Sequence, residues 1–566
     1  MEFIKSRTIN KILPLLVVLA FSIPAILPLL RPGFFPVHDN AQVQRVYEMR
    51  QSLSSGMFPV RWINDFGYGF GYPVFNYYAP LPYYFGGVSS LLGLDPLAAT
   101  KLMFIFPILL SALTMYVLGK EFWGKTGGFV SAIFYVFAPY HALNVYVRGD
   151  VGEMWAYAFF PLVFFSLYRI YKSKSWKYVA LGGISYALII TSHNLSAFML
   201  TPFMLLVSII MLYLFAKKGQ TREAIKIISV FLLGILLSSF YFIPALLELK
   251  YTNIGSIVGG GSDFRNNFVC LNQLWSSPWG FGGSNPGCVD GISFKIGKLH
   301  IAMVLLSLLL VLWSFMKRRR KEWLIIFLFL GLVASLFMVL EISRPIWIAI
   351  KPMEFIQFPW RYLSLVSLSA SLIAGSVFFF FKDFIKDRKV IGFAAIVLIL
   401  ILILNSIKLF EPQKILTYPY SYYTSPQMLR WTTSKISDEY MPKEFKKPGN
   451  SAETASSVNP GLGGSVVVDN ARLKELAVYI PAKTTAEFSL AYFPAWKGYI
   501  DYKEEPVLNR EGRVSMDLPQ GLHLIDLEYK STSIERESDA LSEVGIVILV
   551  AVIILGVKER KNEKKA

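Results

Sequence analysis

The chain has 566 residues, 54% of them hydrophobic, a positive mean hydropathy, and repeated apolar runs of about 20 residues, which describes a polytopic α-helical membrane protein. The formal charge of +18 does not point to nucleic acid, because the Lys and Arg fall in short clusters between apolar spans, as the positive-inside rule expects. Five scattered histidines (His38, His141, His193, His300, His523) and two cysteines, with no CxxC and no His-x-x-x-His, leave no preassembled zinc site in view.

The first span, Ile12 to Leu30, follows a basic N-terminus, lacks a small-x-small cleavage site and is long for a signal h-region. It reads as a retained helix with a cytoplasmic N-terminus. The stretch Phe34 to Tyr84 then places His38 beside Asp39 at a membrane surface. Apolar positions Val43, Val46, Tyr47 and Leu53 predict a short amphipathic helix along the bilayer from Asn40 to Ser55. Tyr68, Phe70, Tyr72, Phe75, Tyr77, Tyr78, Tyr83 and Tyr84, interleaved with Gly and Pro, read as an interfacial aromatic belt.

Further spans are expected at Pro96 to Leu118, Gly127 to Val147, Glu153 to Tyr171, Tyr178 to Ile190, Leu195 to Phe215 and Ile225 to Leu247. Others follow at Leu299 to Phe315, Trp323 to Leu340, Phe358 to Phe381, Val390 to Ile407 and Leu541 to Val557, for about twelve in all. Pro80 to Leu94 is short and carries Pro and Gly, so it reads as interfacial or re-entrant. Counting it as a crossing would put every later basic cluster outside. Those clusters are Lys120/Lys125, Arg169 to Lys177, Lys217 to Lys226, Lys317 to Lys321, Lys382 to Lys389 and the tail Lys558 to Lys565.

This topology divides the chain into a membrane domain (1–408, with outer loops 31–95 and 248–298), an extracytoplasmic mainly-β domain (409–540), and a terminal span with a basic cytoplasmic tail (541–566). Alternating segments Ser465 to Val468, Glu475 to Ile480, Ala486 to Phe493, Gly498 to Tyr502, Arg513 to Leu518 and His523 to Tyr529 predict a small antiparallel β-sandwich. Trp496 reads as a core or membrane-facing residue ahead of a sugar platform. Cys270 and Cys288 share one outer loop, where a disulfide and free thiols are both open.

Ionisable residues at membrane depth are costly, so those at the outer ends of spans are candidates for chemistry. Besides His38 and Asp39 they are Arg148, Asp150 and Glu153, then His193 in Thr-Ser-His-Asn, and Arg361, preceded by Arg344, Lys351 and Glu354. Carboxylates and arginines in a partly desolvated cleft suit a transfer in which a carboxylate deprotonates a hydroxyl while cations stabilise a departing phosphate. Helix capping competes with this role. Asp39 with Gln42, and Asp150 with Glu153, each form a capping-box pattern. His193 is read first as bonding a backbone group in a tight turn, and Arg361 equally as a headgroup anchor.

An acidic first outer loop, Pro80-Leu81-Pro82-Tyr83-Tyr84, Ala138-Pro139-Tyr140 leading into Arg148-Gly149-Asp150, and a second acidic turn resemble the GT-C class of polytopic glycosyltransferases. Val147 to Glu153, Trp275 to Gly280, Ser293 to Gly297, Gln357 to Arg361 and Tyr492 to Lys497 resemble the 6-pyruvoyl-tetrahydropterin-synthase-related and YfhO-like membrane proteins. The resemblance implies a polyprenyl-phosphate sugar donor, an envelope acceptor and Asp39 as base, with His38 beside it. It further implies a supporting or metal-coordinating role for Asp150 or Glu153; the gathered charges themselves suggest phosphate contacts from Arg361 and Arg148, with Asp150, Glu153 and His193 shaping the site. The first loop shows His-Asp in place of paired acids, so use of a divalent metal is left open, as is the oligomeric state. Pterin synthesis is not expected, since that chemistry needs clustered zinc-binding histidines. The rival reading is a non-catalytic transporter or scaffold for envelope polymers. The absence of a visible inverted repeat and the gathering of charges at the outer rim weigh against it.

Overall fold

The helices follow the apolar runs, and their starts are set by local chemistry. The structure, a computed structural model, describes residues 2–257, 259–316 and 322–563. The basic cluster Lys317 to Lys321 and residues 564–566 of the tail lie outside the described residues. Helix α1 (Glu2–Ser22) is followed by α2 (Gln42–Ser54), α3 (Leu81–Leu91) and α4 (Pro96–Val136). The Asp95 side chain caps α4 by accepting from Leu97 N and Ala98 N, with Pro96 at the first helical position.

Gly124 interrupts α4 with φ 78°. A Cβ on Gly119 would lie 2.9 Å from the Ser131 side chain, and one on Gly128 would lie 2.6 Å from Lys120 N. The two arms of α4 therefore run back along each other, which matches the separate spans read on either side of this glycine. Next come α5 (Val151–Ser173), α6 (Trp176–Ser192), α7 (Asn194–Lys217), α8 (Thr221–Leu247), α9 (Lys298–Met316), α10 (Glu322–Val339), α11 (Leu363–Phe380) and α12 (Arg388–Ser406).

Among the described residues, nine helical stretches are long and apolar enough to cross a membrane, and Leu324–Val339 is a shorter apolar one. The protein is a multi-pass membrane protein. At 11 residues α3 is too short to cross. Every residue of α11 except Phe379 is buried, which makes it the central helix. Its Gly375 meets Gly127 of α4 so closely that a Cβ there would lie 2.4 Å from the Gly127 carbonyl. Small residues allow this approach where apolar chains alone would hold the helices apart.

The strands form two antiparallel sheets within the last third of the chain. Strands β1 (Gly464–Asp469), β2 (Leu473–Ile480), β4 (Trp496–Ile500), β5 (Lys503–Glu505) and β8 (Gly521–Tyr529) give a sheet of order β1-β2-β8-β4-β5. Strands β3 (Thr484–Ala491), β6 (Leu508–Arg510) and β7 (Arg513–Leu518) give a second, ordered β3-β7-β6. Residues 411–463 carry no strand of either sheet and run irregularly over the first loop.

The terminal helix α13 (Ser533–Glu563) starts eight residues before the expected Leu541. Its first turn is a capping box: Glu535 N donates to Thr532 Oγ1 at 3.0 Å and Thr532 N donates to Glu535 Oε2 at 2.9 Å.

Two expectations for the first loop are corrected. Helix α2 does not present a free amphipathic face to a bilayer. Gln42, Gln44, Arg45, Glu48 and Ser52 are buried along with its apolar residues, and Gly86 and Gly87 of α3 press on Val46 and Met49. The aromatic run is largely interior and not an interfacial belt, because Tyr68, Phe70, Tyr72, Phe75, Tyr77 and Tyr83 are all buried. These rings meet the irregular chain after α12, Tyr77 stacking on Tyr440 at 5.0 Å and Phe70 meeting Phe445 at 5.2 Å.

Trp496 is a core residue, 5.4 Å from the rings of both Trp62 and Tyr529. A buried polar seam joins the three parts of the molecule. Arg61 donates to Asp539 at 2.6 Å and to the Phe240 carbonyl at 2.7 Å, Asn76 donates to Glu535 at 2.7 Å, and Thr532 donates to Glu248 at 2.6 Å.

Candidate active site

The site gathers where the sheet-side ends of α5, α7 and α11 meet the first loop. Residues 37–39 run beside the short π-helix Asn144–Arg148, with His38 N donating to the Val147 carbonyl at 3.0 Å and Asp39 N to the Arg148 carbonyl at 2.9 Å. The chain turns there through Gly149 at φ 63°, and a Cβ on it would lie 2.4 Å from Val37 Cγ2. Glycine is required both for the backbone conformation and for the fit.

The Asp39 carboxylate is oriented by three neighbours and remains partly exposed. It accepts from Gln42 Nε2 at 2.9 Å, Tyr78 Oη at 2.8 Å and Arg45 Nη1 at 3.1 Å. It does not cap α2, whose N-cap is Ala41 with no side-chain cap. The capping alternative is therefore removed for Asp39. Gln42 also donates to the Gly149 carbonyl at 2.8 Å, which ties this carboxylate to the second cluster. Arg45 stacks on Tyr78 at 4.1 Å and donates to Ser437 at 3.3 Å.

The neighbouring Glu439 is partly buried. Burial pushes its carboxyl up despite a backbone hydrogen bond and Arg45, with Asp438 and Asp39 adding to the rise. His38 is exposed, its Nε2 3.2 Å from the Phe281 carbonyl.

In the second cluster Asp150 both caps a helix and forms an ion pair. Its Oδ1 accepts from Glu153 N at 3.0 Å and caps α5, while its Oδ2 pairs with Arg148 at 2.6 Å. Burial opposes its ionisation, but Arg148, His193 and Arg361 hold its carboxyl below the usual range. Glu153 is fully buried, paired with Arg148 at 2.7 Å and accepting from Tyr140 Oη at 2.6 Å. Arg148 also bonds Asn144 and lies 4.7 Å from the Trp360 ring. Its charge is shared between the two carboxylates Asp150 and Glu153.

His193 caps α7, its Nδ1 accepting from Ser196 N at 3.2 Å. That leaves the proton on Nε2. Arg361 differs from every other charge here. It is 9% exposed, its Nε and Nη1 are buried without a partner, and it makes no ion pair among the described residues. Its charge is felt at Asp150 and His193. Arg344, by contrast, lies outside the cluster and pairs with Glu341 at 2.5 Å.

Above the cluster lies the loop that holds the cysteines, which are joined as Cys270–Cys288. It reaches the site through the Phe281 carbonyl at His38 and through Ser284, which accepts from Trp360 Nε1 at 3.2 Å. Below it an apolar groove of about 150 Å³ opens between α7 and α10, floored by α5 and α11. Leu365, one turn along from Arg361, lines it, as do Leu200 and Phe203 of the helix that His193 caps. No group of three His, Cys, Asp or Glu side chains among the described residues is placed to hold a metal.

Sequence reasoning missed Arg45, Tyr78, Tyr140, Trp360 and Glu439. Arg45 was signalled by its spacing, since Asp39, Gln42 and Arg45 recur every three residues into α2. Glu439 had no local signal, because it arrives from 400 residues away.

Residues 75–257 match the model of a family described as a 6-pyruvoyl-tetrahydropterin synthase related domain of a membrane protein. The resemblance read from the motifs is met over that segment. An uncharacterized protein of Lactococcus lactis subsp. cremoris is 26% identical over 263 residues, 45% of this chain and 42% of that one.

Among solved structures the chain is similar to the mycobacterial arabinofuranosyltransferase AftD (12% identity, TM-score 0.46, 72% of this chain and 28% of that one). It is also similar to the Archaeoglobus fulgidus oligosaccharyltransferase (12%, 0.43, 79% and 61%) and to the Mycobacterium smegmatis arabinosyltransferase EmbB (9%, 0.36, 92% and 65%). The chain thus spans less than half of the Lactococcus protein and little more than a quarter of AftD.

Proposed function

We propose that this protein transfers a glycosyl group from a polyprenyl-phosphate donor to a hydroxyl of an extracytoplasmic acceptor. The observation that carries this reading is the buried guanidinium of Arg361, which lies over the Phe358 ring, has Nε and Nη1 without a hydrogen-bond partner, acts electrostatically on Asp150 and His193, and stands one turn from Leu365 in the wall of the apolar groove. An isolated buried cation costs several kcal/mol, which a bound anion offsets. A lipid phosphate meets both demands, its phosphate on Arg361 and its chain in the groove.

In the transfer the acceptor hydroxyl gives its proton to the Asp39 carboxylate, and its oxygen bonds the anomeric carbon. The bond from that carbon to the phosphate oxygen breaks, and the electron pair leaves with the lipid phosphate, whose charge Arg361 stabilises. Tyr78, Gln42 and Arg45 hold Asp39 in place, while Arg148 pairs with Asp150 and Glu153. His193 Nε2–H supplies a neutral donor beside the phosphate.

The scaffold reading draws on one observation, the engagement of Asp39 by three donors, which also describes a carboxylate kept for structure. Asp39→Asn separates the two. On the enzyme reading it abolishes transfer from a radiolabelled polyprenyl-phosphate sugar by 100-fold or more with expression and unfolding temperature retained. Undiminished turnover in the variant would remove Asp39 from the base role.

A further inference from the structure

The five-stranded sheet carries a second cleft, far from Arg361 and unused by the transfer just described. It encloses about 520 Å³ between the end of α2 at Ser55 and the outward faces of β4 and β8. Its walls are polar: Arg472, Tyr499, Tyr502, Asp526, Glu528 and Lys530. Two carboxylates face two cations, so the cleft has no net charge to select an ion.

The cations are partly occupied. Lys530 donates to Tyr499 Oη at 2.6 Å and lies 3.4 Å from Glu528, while Arg472 lies 3.9 Å from Glu528. Asp526 sits opposite Tyr499 in the strand register, and its Oδ1 is buried without a donor. Its other oxygen, Oδ2, is not buried and makes no side-chain hydrogen bond, so a hydroxyl or amide arriving from outside can donate to it.

The turn beside the cleft gives an independent observation. Residues Asp501 and Tyr502 join β4 to β5 as a two-residue hairpin, with φ 50° and 69°. Such turns favour Asn-Gly or Asp-Gly, because the second residue is left-handed. Here it is a tyrosine, 81% exposed, so the ring recovers none of the strain by burial. The turn is nevertheless held firmly. Asp501 accepts from Leu524 N at 3.0 Å and lies 2.7 Å from His523 Nδ1. The fold presents an aromatic face where a glycine is easier.

An exposed aromatic face beside hydroxyl-binding carboxylates, in a neutral cleft of this volume, fits the apolar and polar faces of a sugar ring together. We propose that this cleft binds a neutral saccharide chain, stacked on Tyr502 and hydrogen-bonded to Asp526. The sequence offered Trp496 for such stacking; that ring is buried and Tyr502 takes its place.

Helix α2 links the two sites, beginning beside Asp39 and ending at the cleft roughly 20 Å away at 1.5 Å per residue. The cleft therefore holds a part of the chain remote from any reacting end. Binding here goes beyond the transfer reading and stands whether or not Asp39 is a base.

The test uses the full chain in detergent on an array of immobilised linear hexasaccharides of glucose, galactose, mannose and N-acetylglucosamine, with uronate chains alongside. Hits are titrated by calorimetry. At least one neutral chain is expected to bind, with affinity lowered tenfold or more in Tyr502→Gly and in Asp526→Ala. Glycine fits the left-handed turn, so Tyr502→Gly keeps or raises the unfolding temperature, and lost binding in it cannot be lost folding. Capture of uronate chains alone, no capture at millimolar concentration, or equal affinity in Tyr502→Gly would each overturn the proposal.

Discussion

Two arginines at the proposed site differ in what surrounds them, and on the proposed reading one charge is structural and the other meets the ligand. Arg148 joins Asp150 and Glu153, both buried, so removing its charge leaves two carboxylates uncompensated. Arg148→Met is expected to destabilise by about 3–5 kcal/mol. Arg361 neutralises no partner within ion-pair reach among the described residues, so Arg361→Met is expected to leave stability unchanged or raise it while abolishing polyprenyl-phosphate binding. Thermal unfolding of the two variants checks the contrast, and equal destabilisation would contradict it.

Glu439 supplies a test by pH. Its folded carboxyl titrates above its ordinary value near 4.5, so the unfolded chain ionises first, and stability is lost as pH rises toward the folded value. Glu439→Gln removes that loss. The unfolding temperature of the variant minus that of the wild type is expected to be larger at pH 8 than at pH 5; an equal difference at both would count against it. At this scale the sequence located Asp39, Asp150, His193 and Arg361 because each lies at the end of an apolar span. It did not distinguish Arg148 from Arg361, since the presence or lack of a partner is a property of three dimensions.

The elements that carry these residues depend on a few backbone positions. The pairing of residues 38–39 with 147–148 requires Gly149 to be left-handed and to lie against Val37. Gly149→Ala is expected to cost about 1–3 kcal/mol of stability and to weaken the register that brings Asp39 to the cluster. Unfolding curves report the first effect and hydrogen exchange at Asp39 N reports the second; a change below 0.5 kcal/mol, about the scale of an ordinary surface substitution, would contradict both.

The spanning helices were legible from apolar runs and the six longer strands from alternation, while β5 and β6, three residues each, are too short to alternate. The start of α13 was misjudged because the apolar run begins at Leu541, whereas the Thr532–Glu535 capping box extends the helix through a polar stretch. The aromatic crowd looked interfacial because composition cannot tell a membrane boundary from an aromatic core between two parts of one chain. Tyr72, Tyr77 and Tyr440 form such a core.

For the whole molecule, the first loop is a wedge that the helices and the sheets share. Its aromatic residues meet the chain after α12, Arg61 reaches α13, and Ala491 N of β3 donates to the Phe70 carbonyl at 2.7 Å. The proposed site thus draws on residues 39, 150, 193, 361 and 439 around the buried axis of α11, with the disulfide-bearing loop on one side and an apolar groove on the other.

The most direct measurement is a cryo-EM map of the purified protein with a polyprenyl phosphate bound. The expected map has phosphate density within hydrogen-bonding reach of Arg361 Nη1, the lipid chain in the groove between α7 and α10, and the Asp39 carboxylate facing the same cavity. A lipid phosphate bound elsewhere, or a groove still empty at saturating lipid with Arg361 unchanged, would contradict the assignment.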